Sequence, residues 1–188
     1  MSAIPDSDRD LFKFLVFSSF SFFIGTVHGV LQVQPPIRAW LDAIGSPYGG
    51  PGHMIDPLAH AHINVVGGVV ILCMAVTYYL IPRLTGHTVF SQKLVNHTFW
   101  WTAVGILGFY TTLLTFGSWE GNLLLQGNAL GAEQVHRFYK PIIATISTVL
   151  GIGFWIFFIN VFLTAKAVFF KRPGPVRPAA AEQRGNTG

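Results

Sequence analysis

Residues 58–81 read LAHAHINVVGGVVILCMAVTYYLI, and this stretch decides the fold. It contains no Asp, Glu, Lys or Arg. A bilayer hydrocarbon core of about 30 Å calls for about 20 such residues in a helix. Working outward, three more stretches meet the same requirement. Residues 11–33 carry Lys13 near one end and His28 near the other, while 99–119 and 141–165 hold no formal charge. Period-2 alternation is missing throughout, which excludes a transmembrane barrel. The expected fold is all-α, an integral membrane four-helix bundle over residues 11–165. Residues 1–10 precede it, and a basic, Pro- and Ala-rich tail at 166–188 reads as disordered.

Composition agrees. Of 188 residues, 51% are hydrophobic and 11% charged, with a mean hydropathy of +0.50. Soluble domains carry about 25% charged residues, and disordered chains have the opposite bias. The lone Cys73 excludes an internal disulfide and any multi-thiolate metal site made by this chain alone. Prolines punctuate the spans: Pro35-Pro36 stops the first, Pro82 closes the second, and Pro141 opens the fourth. Asp56 before Pro57 reads as a helix cap.

Lys and Arg set the expected orientation. With both termini inside, the inner side holds Arg9, Lys13, Arg83, Lys93, Lys166, Lys171, Arg172, Arg177 and Arg184; the outer holds Arg38, Arg137 and Lys140. That bias puts both termini in the cytoplasm. The net charge of +4 is then a matter of topology, with lipid rather than nucleic acid as the surrounding partner. The first span lacks a basic leader and a small-residue cleavage site, and reads as retained.

The histidines gather on one side. His28, His53, His60, His62 and His136 fall in the outer half, whereas His87 and His97 lie inside. Ionisable groups within spans are costly and mark functional sites. Paired imidazoles across a helix bundle hold a haem iron, and neutral imidazole is the best ligand this composition offers. His60 and His62 stand roughly 200° apart on a helix, so they cannot both face one metal. Gly67, two turns beyond His60, leaves room beside that ligand and favours it; His62 stays open as the alternative. The opposing ligand is His28 or His136, and Arg137 after His136 is placed to pair with a haem propionate. Without Cys-x-x-Cys-His, attachment is non-covalent, so the expected cofactor is one low-spin haem b. The aromatic residues, Trp100, Trp101, Tyr110 and Trp155 among them, read as bundle packing and interfacial belts. Glu120 and Glu133 read as solvated loop carboxylates.

The run Asp56-Pro-Leu-Ala-His-Ala-His-Ile-Asn-Val-Val-Gly-Gly, followed by Tyr78-Tyr79-Leu-Ile-Pro82-Arg83, resembles the second helix of the haem–copper oxidase superfamily catalytic subunit. The cbb-type oxidases and nitric oxide reductases are the nearest in flavour. The similarity extends over roughly residues 11–165. It implies that a second-helix histidine is an axial ligand of the low-spin haem. The distance to Pro82 suits His60, and the form His62-Ile63-Asn64 suits His62. The family's other ligands come from later helices, so this chain is not expected to reduce oxygen or nitric oxide alone. The implied role is a membrane b-type cytochrome of the bacterial inner membrane. It would pass electrons to another respiratory subunit, a periplasmic cytochrome or a quinone. A haem-free accessory subunit and a haem-based gas sensor are the competing readings.

Overall fold

The computed structural model describes residues 6–170, which form helices and connections with no strand among them. Five helices follow in order: α1 Asp6–Gln32, α2 Pro35–Ala43, α3 Gly50–Thr85, α4 Gln92–Leu125 and α5 Ala129–Phe170. All but α2 are long and apolar enough to cross a membrane.

The four long helices run up and down. Phe14, early in α1, packs on Tyr78 late in α3, whereas His28, late in α1, packs on His60 early in α3. Lys13 donates to Asn96 and Tyr110 bonds His28, so α1 and α4 are parallel. Along α4 and α5, Thr102 meets Gly153, Gly105 meets Leu150 and Gly108 meets Ile146. That descending register makes the pair antiparallel. Small residues carry it, since a β-carbon on Gly105 would lie 2.6 Å from the Leu150 Cα. The main core gathers Phe14, Ile63, Ile71, Met74, Tyr78, Val95, Phe99 and Ile106.

Several boundaries depart from expectation. Pro82 does not close α3, which runs to Thr85 and ends at Gly86, whose φ of 69° suits glycine. Pro141 lies well inside α5 rather than at its start. That helix reaches Phe170, five residues into the expected tail; the remainder of the tail lies outside the described residues. Pro35 and Pro36 end one helix and begin another, because proline is accepted in a first helical turn. The nine-residue α2 was not expected. It buries Leu41 beside Ile44 and Ile55 and covers the histidine end of the bundle.

Asp56 is not a helix cap. It lies inside the run of α3 with extended φ and ψ of −131° and 112°, since a residue preceding proline is pushed out of the helical region. Its carboxylate accepts from Arg38 at 2.7 Å and from Ser46 at 3.0 Å, tying α2 to the kink. The Asp42 and Asp56 hydrogen bonds hold the Arg38 guanidinium above its usual pKa. Wide, π-type turns at Met54–Ala59 and Ile63–Val70 flank His60–His62. At the far end, Asn160 of α5 accepts from the Ser91 N–H and donates to its carbonyl, both at 3.0 Å, which pins the start of α4.

Candidate functional site

Glycines fit α1 against α3. A β-carbon on Gly25 would strike the Asn64 amide, and one on Gly29 would lie 3.0 Å from His60 Nε2. From the other side, Gly67 lies on Ser21 and Gly68 on the Phe22 ring. Ser18 Oγ also donates to the Gly68 carbonyl at 2.8 Å. Along this seam each helix therefore seats its side chains in the gaps left by the other's glycines.

Two of the expected histidines meet at its upper part. The His28 and His60 rings are 5.3 Å apart, tilted by 50°. His28 is 9% exposed, with Nδ1 3.2 Å from the Tyr110 hydroxyl. The Gln32 amide N–H donates to His60 Nδ1 at 3.1 Å, which leaves the ring proton on Nε2, the nitrogen facing Gly29. His60 therefore presents no free lone pair. His62 points elsewhere, as the 200° offset demands. Its ring lies 4.7 Å from that of Phe109 on α4, the neighbour of Tyr110. Its Nδ1–H donates to the Leu58 carbonyl at 2.7 Å, because a carbonyl can only accept. A neutral His62 thus carries its lone pair on Nε2. This is the usual way a metal-binding imidazole is oriented.

The structure does not bring His136 into this group. It bonds Glu120 at 3.1 Å, and Glu120 lies ten residues beyond Tyr110 on α4, about 15 Å along the helix. Arg137 pairs with Glu133 at 2.8 Å and is 74% exposed, remote from the other imidazoles. Gly67 serves the α1–α3 contact rather than lying beside a flat ligand. Sequence reading missed Gln32, although it follows His28 by four residues and so shares its helix face. Its Oε1 is buried and has no partner among the described residues.

A cavity of about 350 Å³ opens beside His28 between α1, α2 and α4. Phe23, Val27, Leu31 and Leu114 supply its apolar wall, and Tyr110 and Gln32 its polar edge. Among the described residues, no group of three or more His, Cys, Asp or Glu side chains gathers to hold a metal ion. A haem asks less of the chain, namely an axial imidazole and apolar cover. His62 fits that donor requirement. The α1–α3 seam does not fit a macrocycle, because side chains of each helix already fill the glycine gaps of the other. Of the expected pairings, His28 with His60 leaves no room for a haem between rings 5.3 Å apart.

These features define a membrane-spanning helical bundle whose histidines cluster at one end, on the first two spans. The family model described as cytochrome c and quinol oxidase polypeptide I matches residues 5–140, and the chain belongs to that family. It is 28% identical over 117 residues to cytochrome c oxidase subunit 1 of Rhodobacter capsulatus, covering 54% of this chain and 22% of that protein. The chain thus spans less than a quarter of that relative's length. No solved structure matches.

Proposed function

We propose that the chain is an electron-transfer subunit of a respiratory membrane complex and binds one haem b at its histidine end. His62 would hold the haem iron from this chain. A second copy or a partner chain would supply any further ligand, since His28 and His60 pair with each other and His136 bonds Glu120. The observation that carries this reading is the Leu58 carbonyl accepting the His62 Nδ1 proton, which presents Nε2 as a lone pair. When bound, haem supplies a one-electron centre in a low-dielectric site. The residues of this chain then hold, orient and shield it: His62 ligates, Leu58 fixes the tautomer, and Phe109 packs on the ring. With both termini cytoplasmic, this end lies at the outer face, within reach of a periplasmic cytochrome or a quinone.

A second reading is favoured by the cavity beside His28, which admits part of a flat apolar group and gives His28 the ligand role. Oxidised and reduced spectra with a pyridine haemochrome assay on membrane-extracted protein test both readings. Loss of haem in His62→Ala and retention in His28→Ala supports the first, and the reverse supports the second. A colourless wild-type protein, co-expressed with its complex, overturns both and leaves an accessory role.

A further inference from the structure

At the end opposite the histidines, α1 and α4 part around a cavity of about 740 Å³. Arg9, Lys13, Lys93 and His97 line it, and Asp10 is its one carboxylate. Three permanent cations thus face a single anion. Asp10 is already engaged, 2.6 Å from Lys13 Nζ and accepting from Gln92 at 3.0 Å. Lys13 also donates to Asn96 at 2.7 Å and lies over the Phe99 ring, so its ammonium is held at the cavity edge. Lys93 and His97, four residues apart on α4, are exposed and have no ion-pair or hydrogen-bond partner among the described residues.

The depth of this cavity is informative. The apolar part of α1 begins at Leu11 and that of α4 at Phe99, so the cations sit where hydrocarbon gives way to headgroups. Phe12, also on the lining, is 60% exposed. An occupant with a phosphate anion and an acyl chain satisfies both surfaces at once. Basic clefts between spans take acidic lipid headgroups by this chemistry. We infer that this cavity is a phosphate-anion site occupied by the headgroup of an acidic phospholipid.

The test uses the full chain in mixed phosphatidylglycerol–phosphatidylcholine nanodiscs, with retained lipid counted by native mass spectrometry after detergent extraction. Wild type is expected to retain phosphatidylglycerol selectively. Lys93→Gln, which breaks no contact, should weaken that retention about fivefold, and Lys13→Gln with Lys93→Gln about thirtyfold. Displacement of the lipid by millimolar inorganic phosphate, with the same lysine dependence, assigns the anion site to soluble phosphate instead of lipid. Equal retention of both lipids by wild type, or no change in Lys93→Gln, overturns the inference.

Discussion

His60 Nε2 lies where a β-carbon on residue 29 would stand 3.0 Å from it, so Gly29 is what lets this imidazole lie against α1 and beside His28. A glycine here is a matter of space, not of backbone conformation. The contact brings the two spans close at the level of the histidine cluster.

Gly29→Ala should therefore destabilise the bundle. The added methyl group presses on the His60 ring, which must give by a few tenths of an ångström, an overpacking cost of about 1 kcal/mol. Thermal unfolding in detergent would show a lowered midpoint, and Gly29→Leu a larger fall. An unchanged midpoint in both variants would show that the seam is looser than described.

Haem ligation by His62 predicts chemical rescue. His62→Ala should lose the haem spectrum, and millimolar imidazole added during haem loading should restore it in part, because the vacated space admits the free ring. His60→Ala should retain the spectrum, since Gln32 takes the Nδ1 lone pair of that ring and Nε2 carries its proton. Six-coordination predicts a reduced spectrum that carbon monoxide does not shift. A shift on carbon monoxide addition would favour the gas-sensor reading.

Arg38 and Asp56 hold α2 over the histidine end, with Asp56 only 13% exposed. Asp56→Ala removes the acceptor for Arg38 and Ser46 and should cost about 1–2 kcal/mol, read by chemical unfolding. Arg38→Met should cost less, as its partly exposed pair is screened by water. The raised Arg38 pKa means that its contribution is fully present at neutral and moderately alkaline pH. It is lost only when pH rises through that raised value in strong alkali. Stability between pH 6 and 9 in Arg38→Met should therefore run parallel to wild type.

Asn160 is completely buried and bonds both backbone groups of Ser91. Asn160→Leu keeps the volume and strands that N–H and C=O among apolar side chains, which should cost about 2 kcal/mol or more. Hydrogen exchange should accelerate at the first turn of α4 before the rest of the helix opens. Unaltered protection there would remove Asn160 as the pin.

The sequence by itself determined the class. Four uncharged or nearly uncharged runs of about 20 residues admit one solution in a bilayer, where backbone groups must be satisfied within each helix. It also determined that His60 and His62 diverge, because that follows from helical pitch alone. Tertiary structure decided which imidazoles meet. Whether His28 reaches His60 depends on Gly25, Gly29, Gly67 and Gly68 falling into register across two antiparallel helices, a relation between distant segments that no local pattern contains. His136 shows the same limit from the other side, since depth placed it with the others while the length of α4 carried it away. Helix ends escaped for a local reason. Pro35 and Pro36 do mark a boundary, whereas Pro82 and Pro141 are accommodated within helices.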